Sequence, residues 1–125
     1  MGNQQATEVV ASAAVTVDGN SGDIPIERTD WAKNIGPRAQ TELVLFLDVT
    51  AHAGTNPTLD ISLEWSMDAG ATYAIPAAAP AFAQILEVDG AQAEVFPVLG
   101  TSYRLVYDIE GTTPSYTFSV RELVR

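Results

Sequence analysis

The chain has no cysteine, one histidine, and six basic residues against sixteen acidic ones. Without cysteine there is no disulfide framework and no thiolate metal site, and the redox compartment is left open. A single histidine, His52, leaves zinc catalysis short of ligands. The formal net charge is −10, and no two basic residues are adjacent. Phosphate recognition needs basic clusters, so nucleic acid is not an expected partner. An acidic surface also disfavours anionic membranes. Its plain role is solubility and suppression of self-association, and its functional role would be long-range matching to a basic partner. No apolar run reaches 18 residues, and no basic segment with an apolar core opens the chain. Met1-Gly2 begins like a myristoylation signal, but Ala6 stands where Ser or Thr is required. Phosphate-cradling loops and Gly-x-Ser-x-Gly elbows are absent as well. No catalytic residue, cofactor or metal is expected.

What remains is apolar alternation. The 125 residues suit one domain, and 46% hydrophobic content gives it a core without staples. Residues 1–11 carry one charge, Glu8, and read as an extended N-terminal arm, with a single domain over 12–125. Ala13–Val17 suits a short strand, ended by the polar run Asp18–Asp23 and resumed at Ile24–Ile26. Glu27 to Arg38 is the least strand-like stretch. There Thr29 or Asp30 suits the cap of a short helical turn, Gly36-Pro37 stops it, and Trp31 suits a core plug.

Leu43–Leu47 is unbroken, which implies a strand covered in part on both faces. Leu59, Ile61, Leu63, Trp65 and Met67 alternate with Asp60, Ser62, Glu64 and Ser66, the period of a half-buried strand. Pro76–Ala83 reads as a loop anchored by Phe82 and by Ile85 or Leu86. Ala91–Val98, with Pro97 inside, suits an edge strand. Tyr103, Leu105, Tyr107 and Ile109 alternate with Arg104, Asp108 and Glu110, and Tyr116, Phe118 and Val120 with Thr117, Ser119 and Arg121. About seven short strands without a helical period predict an antiparallel β-sandwich, with a partly closed barrel as the alternative.

One ten-residue pattern occurs twice. Gly54-Thr55-Asn56-Pro57-Thr58 and Gly111-Thr112-Thr113-Pro114-Ser115 each follow an apolar strand and precede another. Gly permits positive φ and Pro fixes φ, so the pattern predicts the same β-hairpin used twice, with Gly54, Pro57, Gly111 and Pro114 as turn residues. This is a scaffold signature.

Ser66-Met67-Asp68-Ala69-Gly70-Ala71-Thr72-Tyr73 fits Ser-x-Asp-x-Gly-x-Thr-aromatic. It resembles the Asp-box of sialidase-like propellers. In that motif the Asp68 carboxylate would accept turn N–H groups and Gly70 would supply the positive φ. A propeller needs several copies and this chain has one, so the resemblance transfers the turn and not the enzyme. Asp18, Asn20 and Asp23 fail the EF-hand spacing, because Asp23 stands where glycine is required. Tyr103, Tyr107 and Tyr116 share the inward phase, which favours core packing over a sugar-binding platform.

Leu63-Glu64-Trp65-Ser66-x-Asp68-x-Gly70-x-Thr72-Tyr73, Phe82-Ala83-Gln84-Ile85, Phe96-Pro97, Tyr103–Tyr107 and the second Gly-Thr-x-Pro segment together resemble small structural proteins of tailed bacteriophages. The resemblance spans about residues 40–120. It implies a non-enzymatic virion protein, best a head decoration (cement) protein on the capsid surface. Such a protein would bind the major capsid protein lattice as a homo-oligomer, a trimer by preference. A tail or baseplate accessory protein is the second reading, and a carbohydrate-binding sandwich module the third. The expected contact segments are Met1–Ala11 and Ile24–Arg38, with Gln4, Gln5, Glu8, Glu27, Arg28 and Arg38 as candidate partner contacts.

Overall fold

The computed structural model describes residues 6–26, 42–76 and 81–125. Trp31, the expected helical turn, and Gln4, Gln5, Glu27, Arg28 and Arg38 lie outside them. The described chain is all-β: β1 (Thr7–Val15), β2 (Gly19–Asn20), β3 (Ile24–Pro25), β4 (Glu42–Ser66), β5 (Gly90–Pro97) and β6 (Ser102–Val124). They form one antiparallel sheet in the order β1-β6-β4-β5, with β2 and β3 also on β6. The sheet is not closed, which sets aside the barrel alternative. Among the described residues six strands appear where about seven were expected, and two of the six are double length. The expected arm is also shorter, since Thr7 to Ala11 lie within β1.

Strands β4 and β6 pair along nearly their whole length, from Leu43 opposite Val124 to Ser66 opposite Ser102. They cannot be straight. At about 3.3 Å per residue, Tyr107 and Phe118 of a straight β6 would stand about 36 Å apart. Their ring centroids are 5.1 Å apart, edge to face. The Tyr103 hydroxyl likewise reaches Glu122 Oε1 at 2.8 Å. The paired ribbon therefore doubles over and packs its two halves face to face.

The first layer holds the first half of β4 and the second half of β6, flanked by β1 and β5. The second holds the other two halves, flanked by β2 and β3 on one side. On its other side Leu59 bridges Ile85 and Trp65 bridges Ala74. Period-two alternation sends Leu43, Leu45, Leu47, Leu59, Ile61, Leu63 and Trp65 of β4 inward, to meet Tyr103, Leu105, Tyr107, Tyr116, Phe118 and Val120 of β6. Burying each large apolar side chain is worth about 1.5–3 kcal/mol, so this double layer is the main source of stability.

Two sequence expectations change, and one is made specific. Met67 is 74% exposed, because the strand ends at Ser66 and the alternation does not continue into the turn. Phe46, inside the unbroken Leu43–Leu47 run, is 46% exposed while Val44 is half-buried, so the outer face of that strand is covered only in part. The two Gly-Thr-x-Pro segments are not hairpin turns. Both lie inside long strands, opposite each other, and together make the fold of the ribbon.

Candidate functional site: two outer faces and a bent ribbon

The bend is built by the repeated motif. Gly54 and Gly111 have φ of 110° and 122°, and Asn56 and Thr113 have φ of 49° and 46°. The two copies thus adopt the same backbone conformation. They also interlock. A Cβ on Gly54 would lie 2.7 Å from the Thr113 carbonyl oxygen and 2.9 Å from the Pro114 Cα. A Cβ on Gly111 would lie 2.9 Å from the Asn56 carbonyl oxygen and from the Pro57 Cα. Only glycine permits this approach. Pro57 is buried, and Pro114 is half-buried.

The Asp68–Gly70 turn follows the sequence reading. The Ser66 hydroxyl donates to Asp68 Oδ1 at 2.7 Å and accepts the Asp68 and Gly70 amides at 3.2 and 2.9 Å. Asp68 Oδ1 also accepts the Thr72 amide at 2.8 Å. These bonds, led by the one from Ser66, hold the Asp68 carboxyl below its usual range. Gly70 has φ of 90°. Tyr73 then donates to Asp23 Oδ1 at 2.7 Å and lies under the Arg104 guanidinium, 4.0 Å from its ring centroid. Arg104 pairs with Glu64 at 2.7 Å. The turn is thereby fastened across the second layer.

Each layer presents one outer face, and the two differ in chemistry. On the first layer the register puts Val95, Val44 and Leu123 in one row and Ala93, Phe46 and Arg121 in the next. Val95 is 43% exposed, and Ala91 and Ala93 are exposed beside it. These two rows make an apolar patch apart from Arg121, bordered by the Glu42–Arg125 ion pair on one side and by Asp48 opposite Ser119 on the other. On the second layer the rows are Thr58 with Glu110, Asp60 with Asp108, Ser62 with Val106, and Glu64 with Arg104. Four carboxylates therefore share that face with one guanidinium. Asp60 stands directly opposite Asp108, an arrangement that disfavours the isolated sheet, and Gln84 Nε2 donates to Asp60 at 2.9 Å.

Other polar groupings are local. His52 Nδ1 lies 2.6 Å from Asp89 Oδ1, and the Asn56 amide donates to Glu87 at 3.2 Å. The Tyr116 hydroxyl donates toward the carbonyls of Ile85 and Leu86 at 3.1 and 2.8 Å. These contacts fix the 85–89 segment over the bend. They leave an open groove of about 570 Å³ lined by Asn56, Pro57, Thr58, Leu86, Glu87 and Val88. Leu86, one of two anchors considered for the loop, is 52% exposed, whereas Phe82 and Ile85 are buried. Among the described residues no three His, Asp or Glu side chains gather as a metal site.

Of the candidate contacts, Glu8 is described. It is exposed on β1, opposite Arg121. Tyr103, Tyr107 and Tyr116 are buried and present no platform. Burial raises the phenol pKa of all three, to about 12 for Tyr107, with the Glu122 carboxylate adding to the effect at Tyr103. The buried Glu122 was not singled out from sequence, although it continues the inward phase of Tyr116, Phe118 and Val120. The contrast between the two outer faces was also missed, because it depends on which strands become neighbours. No protein-family model, curated protein or solved structure matches this chain.

Proposed function

We propose that this protein is a non-enzymatic structural protein of a tailed-phage virion, a head decoration protein that seats its first-layer face on the capsid lattice and turns its acidic second-layer face to solvent. The observation that carries this reading is the difference between the two faces. Val44, Phe46, Val95 and Leu123 give one wall of a rigid double layer an apolar patch, bordered by charges of both signs, that suits a protein partner. Asp60, Glu64, Asp108 and Glu110 give the other wall the charge that keeps particles apart in solution. The resemblance of residues 40–120 to small phage structural proteins supports the same reading.

The test is co-sedimentation with heads assembled from the major capsid protein of the genome that encodes the chain. Saturable binding at a stoichiometry matching the lattice is expected, and Phe46→Glu should abolish it while leaving the melting temperature unchanged. Failure to bind heads, with binding to tails instead, would move the protein to the tail. Binding to neither would sink the virion reading.

A further inference from the structure

The two-fold repetition at the bend extends to the segments that flank it. Val15 pairs with Tyr116, and Ile85 pairs with Leu59. Tyr116 follows Leu59 by the same 57 positions that separate Gly111 from Gly54. Each flanking segment then reaches a Val-Asp-Gly sequence, Val17-Asp18-Gly19 in one case and Val88-Asp89-Gly90 in the other. The Asp18 carboxylate accepts the Ile109 N–H at 2.8 Å. Asp89 meets His52, which stands 57 positions before Ile109. One connection is thus used twice, once against each long strand.

The two copies differ by one residue. Three steps lead from Val15 to Asp18, and four lead from Ile85 to Asp89. The longer copy bends at Glu87. Pro57 has no N–H, so it cannot continue the ladder that Leu59 and Ile85 begin. The segment parts from β4 there and leaves the groove of about 570 Å³, a volume in the range of small-ligand sites. The fold does not require the additional residue, because the first copy makes the same connection without it. Nor does the core gain from it: Leu86 is exposed, and Val88 is 59% exposed. With Pro57, these two side chains make the groove largely apolar.

Charge decides what fits there. Glu87 lines the groove, and among the described residues its carboxylate accepts one hydrogen bond, from the Asn56 N–H at 3.2 Å. That is long for a bond to a charged acceptor. Asp89 is already engaged by His52 at 2.6 Å. Glu110, opposite Thr58 of the groove, adds negative charge. The arginine ion pairs among the described residues go to Glu64 and Glu42 and leave both Glu87 and Glu110 uncompensated. An apolar wall beside an uncompensated carboxylate complements a side chain with an apolar stem and a cationic head. We propose that the groove receives a lysine or arginine side chain of a protein partner, its methylenes along Leu86 and Val88 and its charge at Glu87. The Asn56 carboxamide oxygen and the Thr58 hydroxyl are further acceptors for the head. The net charge of −10 draws a basic partner surface toward this end and turns anionic ligands away. The assignment does not depend on the capsid role, which engages the first-layer wall.

The experiment is an amide NMR titration of the full chain, near neutral pH, with the peptides Ac-Leu-Lys-Leu-NH2 and Ac-Leu-Gln-Leu-NH2. The lysine peptide should shift the amides of Leu86, Glu87 and Val88 and saturate with a Kd on the order of millimolar. The glutamine peptide should bind about fivefold more weakly, the scale of one exposed charge pair. Glu87→Gln keeps an oxygen for the Asn56 N–H, so its melting temperature should be unchanged. It should weaken the lysine peptide by about the same fivefold and remove the salt dependence of binding. Equal affinity for the two peptides would overturn the proposal. So would undiminished binding by Glu87→Gln, shifts centred on Asp60 and Asp108 instead of the groove, or no saturation by about 20 mM lysine peptide.

Discussion

Thr55 stands opposite Thr112 at the centre of a ladder that maps onto itself. Moving each β4 residue forward by the 57 positions that separate Gly54 from Gly111, and each β6 residue back by the same amount, returns observed pairs. Thr58 opposite Glu110 becomes Ser115 opposite Ala53, and Leu59 opposite Ile109 becomes Tyr116 opposite His52. Asp60 opposite Asp108 becomes Thr117 opposite Ala51. The correspondence ends at the register shift between Val49 and Ala51. The repeat in the sequence is thus a local dyad in the structure, and each Gly-Thr-x-Pro segment supplies the surface on which the other bends.

Because the two glycines contact each other's motif, their substitutions should not be independent. Gly54→Ala and Gly111→Ala each force a side chain into positive φ and against backbone atoms. Each should cost about 2–3 kcal/mol. The double variant should depart from the sum by at least about 0.5 kcal/mol, since both changes displace one shared contact. Urea denaturation of the four proteins measures the coupling, and strict additivity would show that the two bends move separately.

The third motif position gives a second test. Asn56 and Thr113 both occupy the left-handed region, which asparagine tolerates and a β-branched residue does not. Thr113→Asn should raise stability by about 0.5–1 kcal/mol, and Asn56→Thr should lower it by a similar amount. Among the described residues the Thr113 hydroxyl bonds only to the neighbouring Thr112 carbonyl, at 2.8 Å, so little else is lost. Equal and opposite shifts in thermal midpoint are the expected result.

What was legible in the sequence was local. The inward phase of Leu59 to Trp65 and of Tyr103 to Ile109 follows from period two, and the Asp68 turn follows from bonds spanning four residues. Pro97 likewise signalled the edge position of β5. The bend was not legible, because Gly54 and Pro57 announce a change of direction without saying what lies opposite. A hairpin would have put each motif at the tip of its own loop, but long-range pairing put the two together in mid-ribbon. Phe46 and Val95 were opaque for the same reason: their row exists only once β4 and β5 are neighbours. Glu122 was within reach, since counting by twos from Tyr116 arrives at it.

Two buried tyrosines should respond oppositely to losing a hydroxyl. Tyr103 donates to the buried Glu122 carboxylate at 2.8 Å. Tyr103→Phe takes a hydrogen bond from a charged, buried acceptor and should cost about 1.5–3 kcal/mol. The Tyr107 hydroxyl is buried with no partner among the described residues. Tyr107→Phe removes an unmet polar group and should be neutral or slightly stabilising. Chemical denaturation of the two variants separates these roles.

Alkaline titration tests the tyrosine environments together. All four phenols have pKa values raised above 10.0, by the Asp23 hydrogen bond at Tyr73 and by burial at the other three. A raised acid pKa means that the neutral form is favoured in the folded state. Its stabilising share is complete below pH 10 and declines as pH rises toward the folded value, about 12 for Tyr107. Phenolate absorbance should therefore lag the free-tyrosine curve and then climb together with unfolding. Tyrosines ionising near pH 10 in the folded protein would contradict the packing.

The acid limb tests the Ser66–Asp68 turn, and here the sign reverses. The Asp68 carboxyl is held below its ordinary value of 3.8, chiefly by the Ser66 hydroxyl and then by the Thr72 amide. The ionised form is favoured in the folded state, so its contribution is present above about pH 3.8 and is lost as pH falls through the depressed folded value. Ser66→Ala removes the group that serves Asp68 as donor and the Asp68 and Gly70 amides as acceptor. Its hydroxyl is buried at the end of β4, so the loss should be about 1–2 kcal/mol at neutral pH. Asp68→Asn keeps the shape and removes the charge, so it should flatten the acid dependence without matching the neutral-pH loss of Ser66→Ala. Carboxyl chemical shifts followed from pH 6 downward would read the Asp68 titration directly. In Ser66→Ala that titration should move up toward 3.8. A midpoint unchanged by the substitution would mean that the Thr72 amide alone sets the carboxylate, and the hydroxyl would then be a spacer in the turn.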